Sequence, residues 1–325
     1  MKKKIILCAF VIILLLSLVI CGYLGNIKKV EEYEKSIEGM KVTLIGGSNM
    51  KDNGGVNSCG YIIRSKHGEL MIVDGGRDID AELIYNYINK FGEGTVKYWY
   101  ITHLHTDHIG ALIEILNNEK YNIKIENLCY AVNDKEWYIS NNERGLDSEL
   151  AFFNSLDNNK IINRIECKKG QIIETDNIKC DIIRVTHPDI ETTDKENDSS
   201  MVFKLTATDV GKDMLFLGDA YKSCTKEFKE EEYKDKLSSY AVQMAHHGQN
   251  GLKKEIYEII HPTLCFFNCP EWLYNNDNGG GYNSGNWASL DVREWMQEMN
   301  TTNFVAFEGD QTIRFTESGY EICEE

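Results

Sequence analysis

Between a run of aromatic and β-branched residues and an apolar helix pattern, the chain carries Thr102-His103-Leu104-His105-Thr106-Asp107-His108-Ile109-Gly110. Three imidazoles and a carboxylate fall within six consecutive positions, His-x-His-x-Asp-His. These are ligand types of zinc, manganese and iron. Residues 96–102 read as a buried strand, and residues 109–116 as an amphipathic helix. A strand, a ligand-rich turn and a helix put the cluster at the carboxyl edge of a sheet, where α/β folds place their sites. Ordinary roles exist for each residue alone: a satisfied histidine at a strand end, or Asp107 as a helix cap. None of these explains four ligand-type side chains in one turn, so the segment is read as a metal site.

The chain has 8 histidines, and three lie in this cluster. His187 follows the apolar run 180–186. His246 and His247 follow the run 240–245, and Asp219 follows 214–218. Each sits just past a predicted strand. Four strand ends therefore deliver the imidazoles and the bridging carboxylate that two ions about 3.5–4 Å apart require. Neighbouring residues at a strand end point in different directions, so His246 and His247 are not equivalent. His67, in a polar turn, and His261, before Pro262, read as surface or structural residues.

Taken in order, Asp74-Gly75-Gly76 after the strand 69–73, the block His103–His108, His187, Gly218-Asp219 and His246-His247-Gly248 resemble hydrolases of the metallo-β-lactamase fold. Asn197-Asp198-Ser199-Ser200, followed by the strand 201–205, is similar to the hydrolase domain of competence DNA-uptake proteins. Phosphorylcholine esterases acting on teichoic acid are a second similar group. The resemblance covers residues 40–325 and implies an α/β fold, a four-layer αββα sandwich. It implies two divalent ions, zinc first and manganese or iron as alternatives. His103, His105 and His187 would hold one ion. Asp107, His108 and one of His246 and His247 would hold the other, with Asp219 bridging. Asp74 would accept a hydrogen bond from a ligand imidazole and fix its tautomer. A hydroxide bridging the ions would attack phosphorus or a carbonyl carbon, oriented by Asp107. The histidine of the pair left off the metal would protonate the leaving group, and His247 is the candidate for that role.

With 325 residues and 42% hydrophobic content, the chain can bury a full α/β core. The net charge of −16 is mostly a solvated acidic surface, and it argues against duplex nucleic acid as a partner. Residues 1–25 pair Lys2-Lys3-Lys4 with an apolar run from Ile5, long enough to span a bilayer. The basic end predicts a single-pass signal anchor with the catalytic domain outside the cytoplasm. A secreted form and a lipoprotein attached at Cys21 are the alternatives. Residues 26–39 read as a charged juxtamembrane spacer. The 10 cysteines contain no Cys-x-x-Cys pair, and both buried thiols and disulfides stay open.

The strand-like runs alternate with helix-like runs at 80–90, 109–118, 148–156, 222–236, 253–260 and 289–299, which suits two sheets with helices outside. The segment 270–287 is rich in Gly, Asn and aromatics. Its Trp272, Tyr274, Tyr282 and Trp287 have two readings. They cover the core, or they form a wall over the metals that grips a quaternary ammonium or stacks on a sugar or base. The function expected is a membrane-tethered, extracytoplasmic metal-dependent hydrolase of a phosphodiester or related ester. Its substrate would be a small molecule or a cell-envelope component. A nuclease related to DNA uptake and a catalytically silent binding module are the alternatives.

Overall fold

Alternation of side chains builds the two sheets. In the strand Gly60–Arg64, Tyr61 and Ile63 face one core while Ile62 faces another. In Leu70–Asp74, Met71 and Val73 join the first core and Ile72 the second. A period of two with both faces buried is what a sheet between two layers requires. The computed structural model describes residues 38–324 apart from 48–49, 51–54, 142–145 and 193. Residues Gly39–Glu325 form one compact unit.

The first sheet contains β1 (Lys41–Leu44), β2 (Gly60–Arg64), β3 (Leu70–Asp74), β4 (Thr95–Val96), β5 (Tyr98–Ile101), β6 (Lys124–Tyr130) and β7 (Ile161–Glu166). The second contains β8 (Ile172–Thr175), β9 (Ile178–Arg184), β10 (Val202–Ala207), β11 (Lys212–Phe216), β12 (Ala241–Gln243), β13 (Leu264–Phe267) and β14 (Thr302–Val305). β15 (Gln311–Thr316) and β16 (Gly319–Cys323) return to the first sheet. Its order is β16-β15-β1-β2-β3-β5-β6-β4, with β7 also paired to β6. The second runs β14-β13-β12-β11-β10-β9-β8. Each sheet is part antiparallel and part parallel: β3 pairs parallel with β5, and β11 with β12.

Three cores separate the layers. Between the sheets, Tyr61, Val73 and Tyr100 pack against Phe203, Phe216 and Phe266. Outside the first sheet, Ile72, Trp99 and Leu128 meet Ile84, Ile88, Leu112 and Ile115 of the helices Ala81–Gly92 and Thr106–Asn117. Outside the second, Leu215, Val242 and Phe267 meet Phe228, Tyr233, Ile256 and Met296. Each large apolar side chain buried in these cores contributes about 1.5–3 kcal/mol. The mixed α/β arrangement with two sheets agrees with the expected sandwich.

The helix expected over 222–236 is broken in two, Lys222–Phe228 and Glu231–Leu237. Cys224, Phe228, Tyr233 and Leu237 all face the core. An unbroken helix would turn Tyr233 well away from Phe228, since five residues advance about 140° beyond a full turn. Extended backbone at Glu230 brings both aromatics onto the sheet. Among the described residues no helix is long and apolar enough to cross a membrane. The apolar run expected to do so lies outside the described residues. The eight described cysteines are free thiols, seven of them buried.

Gly110 sets how closely the ligand-bearing helix approaches the first sheet. A Cβ there would stand 2.6 Å from the Asp78 amide nitrogen and 2.9 Å from the Arg77 carbonyl carbon. Alanine is favoured over glycine within a helix by about 1 kcal/mol. Overpacking against rigid backbone costs about 1–3 kcal/mol and outweighs it. Gly110→Ala is therefore expected to lower stability in a urea titration, and a stabilised variant would contradict the close approach.

Candidate metal centre

The site is assembled from strand ends. β3 ends at Asp74, in the left-handed region with φ 58°. β5 leads into His103, His105 and the helix Thr106–Asn117, which begins with Asp107 and His108 in its first turn. β11 leads through Gly218 to Asp219, and β12 leads to His246 and His247, with φ 50° and 60°. Left-handed backbone costs a non-glycine residue about 1–2 kcal/mol, so neighbours must enforce it. Asp74 is tied down by the Thr102 amide, 2.8 Å from its Oδ1, and by Trp99 Nε1, which donates to its carbonyl at 2.6 Å. The Gln243 side chain accepts from the Leu217 amide at 2.9 Å and donates to the carbonyls of Gly218 and Met244. It thereby locks the end of β11 to the end of β12. A Cβ on Gly218 would meet Ser200 Oγ at 2.7 Å and Thr102 Cβ at 2.9 Å, so only glycine fits.

Asp219 stands at the centre. His108 Nε2 lies 3.2 Å from its Oδ1. His247 Nε2 lies 3.3 Å, His103 Nε2 3.8 Å and His246 Nε2 3.9 Å from its Oδ2. Asp107 Oδ2 is 3.2 Å from His247 Nε2. Two rings are fixed from behind. His108 Nδ1 donates to Asp74 Oδ2 at 2.7 Å, and His247 Nδ1 donates to the Asn268 carbonyl at 2.8 Å. Asn268 is itself held by the buried Tyr61 hydroxyl.

This donor set fits divalent ions. His103 Nε2, His108 Nε2 and Asp219 Oδ1 are buried without a hydrogen-bond partner, a costly state unless something binds them. Two donors on one ion, each about 2.0–2.2 Å from it, stand about 2.9–3.5 Å apart. The Asp219–His108, Asp219–His247 and Asp107–His247 separations match. His103, His108 and Asp219 form one potential ligand group, and Asp107, His108 and His247 another. Cys59 also approaches His108 and Asp74. Burial pushes its thiol up to about 12, so it stays protonated and packs behind the ring.

The charges are strongly coupled. Burial works against charge on His247, yet Asp219 and Asp107 raise it to about 9. Burial likewise opposes charge on His108, and Asp219, Cys59 and Asp74 raise it well above the usual imidazole range. Burial, then the charge on His108, drives His103 well below that range. Burial lowers His246 as well. Burial favours the neutral acids, but His247 and His108 hold Asp219 well below the usual carboxylate range. The hydrogen bond from His247 does the same for Asp107.

The metal centre opens into a cleft of about 320 Å³, lined by Asn57, Arg77, Thr106, Ser148, Glu149 and Gln249 besides the site residues. Arg77 Nε donates to the Asn57 carbonyl at 2.7 Å. Arg77 directly follows Asp74-Gly75-Gly76 and was not among the expected site residues. Glu149, in the helix expected over 148–156, and Glu196 are further cleft residues that no motif marked.

The structure brings together Asp74, His103, His105, Asp107, His108, Asp219, His246 and His247. It does not bring His187. β9 ends at Arg184, whose buried guanidinium donates to Glu227 at 2.7 Å and to the Ser200 carbonyl at 2.9 Å. Three residues further on, His187 is exposed and is not among the cleft residues. Beside His105 stands Glu196 instead, its Oε2 2.9 Å from His105 Nε2. The aromatic segment also lies elsewhere. Trp272, Tyr274 and Trp287 pack against the outer core of the second sheet, with Trp272 and Trp287 paired at 5.1 Å. Tyr282 is 68% exposed. None of the four lines the cleft: Trp272, Tyr274 and Trp287 bury their rings in the outer core, and Tyr282 faces solvent.

The profile of the family described as "Anti-Pycsar protein Apyc1" matches residues 40–249. That description names neither the competence-type domain nor the phosphorylcholine esterase. No curated protein matches. Among solved structures, the metallo-β-lactamase fold protein YhfI from Bacillus subtilis gives a TM-score of 0.50 at 13% identity, over 83% of this chain and 96% of that one. CmlA from Streptomyces venezuelae, a diiron β-hydroxylase, gives 0.50 at 12%, over 86% of this chain and 54% of its own. At these identities the likeness shows the metallo-β-lactamase fold alone.

Metal binding here competes with protons. Below about pH 9 His247 is protonated in the ion-free site, and an ion needs its neutral Nε2. Affinity should therefore rise with pH through the range in which His247 and His108 lose their protons. Zinc titrations at pH 7 in two buffers of different ionisation enthalpy should show release of at least about one proton per chain. Heats independent of the buffer would contradict this charge assignment.

Proposed function

The chain belongs to the family of the anti-Pycsar protein Apyc1, and from that premise we propose that it is a metal-dependent hydrolase that cleaves a small phosphodiester. The observation that carries the reading is the convergence of His103, His108, Asp107 and His247 on the buried Asp219, where His103 Nε2 has no hydrogen-bond partner and the other ligand atoms face one another. Zinc, manganese and iron all suit such a set, zinc first.

In this reading His103, His105, Asp107, His108, Asp219 and His247 are the residues that would hold two divalent ions. Ions bound there supply a water of lowered pKa as nucleophile and positive charge against the developing anion. Asp74 and the Asn268 carbonyl hold two of the rings in the tautomer that presents Nε2. Of the histidine pair, His247 is the one packed between Asp107 and Asp219, so the role at the leaving group passes to His246. Burial keeps His246 neutral, and it lines the cleft beside the centre. Arg77 brings the one permanent cation among the described cleft residues and sits where a phosphate needs charge.

The cleft volume, near the lower end for small-molecule sites, favours a small ester over a nucleic-acid duplex. The acidic Glu149 and Glu196 on its wall and the net charge of −16 point the same way. Tethering of the chain by residues 1–25, with the catalytic domain outside the cytoplasm, belongs to the same proposal. Fractionation of cells expressing the full chain tests it.

A bis-aryl phosphodiester, a phosphorylcholine ester, single-stranded DNA and a cephalosporin form the assay panel, and turnover is expected on the first. Asp219→Ala should lower kcat/KM by about a thousandfold or more, since the ions supply several kcal/mol of charge stabilisation. Retained activity in that variant would remove the central carboxylate from the mechanism. Arg77→Ala should raise KM about tenfold with kcat nearly kept, as loss of a substrate-binding cation does.

A further inference from the structure

The segment Asp194–Ser200 reaches the centre at two neighbouring residues. Glu196 Oε2 accepts from His105 Nε2 at 2.9 Å, and Asn197 Nδ2 is 3.4 Å from His246 Nε2. Both residues are almost completely buried, Glu196 at 5% and Asn197 at 0% exposure. The short helix Lys195–Asp198 that carries them is anchored at both ends. Asp194 accepts from the Asn197 side chain at 2.8 Å. Asp198 accepts the Tyr221 amide at 2.9 Å, just beyond Asp219. Burying a carboxylate here is costly unless its charge is used. Glu196 has one oxygen on His105 and the other without a hydrogen-bond partner.

Each remaining ring shows what that use is. His108 gives its Nδ1 proton to Asp74, and His247 gives its own to the Asn268 carbonyl, so both present Nε2. His105 is tied the other way round, through Nε2, which leaves Nδ1 as its only lone pair. We infer that Glu196 is a positioning residue that fixes the tautomer and orientation of His105 and so completes the ion site that His187 does not reach. The inference rests on the hydrolase reading and gives Glu196 a role at the centre that the reading does not assign. The adjoining motif reaches the same centre: Asn197 stands against His246, and Ser200 Oγ accepts from the Asp219 amide at 3.0 Å.

Cobalt(II) titration of the full chain, followed by visible absorption and by calorimetry, tests this. The unaltered chain should take up two ions. Glu196→Ala should weaken one of them about 10–100-fold and change the absorption bands of that ion, because His105 loses its anchor. Glu196→Gln should restore most of the affinity and the bands, because an amide oxygen still accepts from Nε2–H. Thermal melts of the ion-free variants check that each one folds. If Glu196→Ala binds both ions as tightly as the unaltered chain, the inference falls and the hydrolase reading stands. If Glu196→Gln is as weak as Glu196→Ala, positioning through this hydrogen bond is overturned. An unaltered chain that takes up no cobalt overturns both.

Discussion

A carboxylate buried among four imidazoles is the constraint from which the rest of this site follows. Asp219 is shut away from water, so its charge must be met by protons on the neighbouring rings or by cations. Without ions, His108 and His247 carry that charge. Bound ions would take the same nitrogens as ligands and displace those protons. The fold therefore stores a choice between protonation and metal binding at one point. Pre-positioned donors lower the cost of ion binding, because little has to move when the charge arrives.

That arrangement is rigid because of where the strands stop. Asp74, Asp219, His246 and His247 all follow strands buried on both faces. The left-handed backbone at Asp74, His246 and His247 is enforced by buried hydrogen bonds. Gln243 joins two adjacent parallel strand ends, and Tyr61 braces Asn268 from the opposite sheet. The imidazoles are thus referenced to both sheets at once. A shift of either sheet would move the ligands against each other, which is why packing between the sheets matters to the chemistry.

Much of this was legible in the sequence for a physical reason. Strands buried on both faces leave apolar runs that end sharply, and chemistry-bearing residues just past those ends stand out. Asp74, the His103–His108 block, Asp219 and the histidine pair were all visible in this way. His187 met the same criterion and lies outside, because an apolar run does not reveal where its strand stops. Here Arg184 is buried through its ion pair with Glu227, and the chain turns outward before His187. Glu196 was hidden for the opposite reason: an acid among acids reads as surface until a fold buries it. The aromatic segment offered two readings of similar weight, and ring burial decided between them. The break at Glu230 left no trace, since no glycine or proline marks it.

Anomalous diffraction from crystals of the protein grown with zinc or manganese tests the central claim most directly. The account predicts two peaks on either side of the Asp219 carboxylate, about 3.5–4 Å apart, one of them within bonding distance of His247 Nε2. No peak beside Asp219, or a peak only at surface acids, would contradict it.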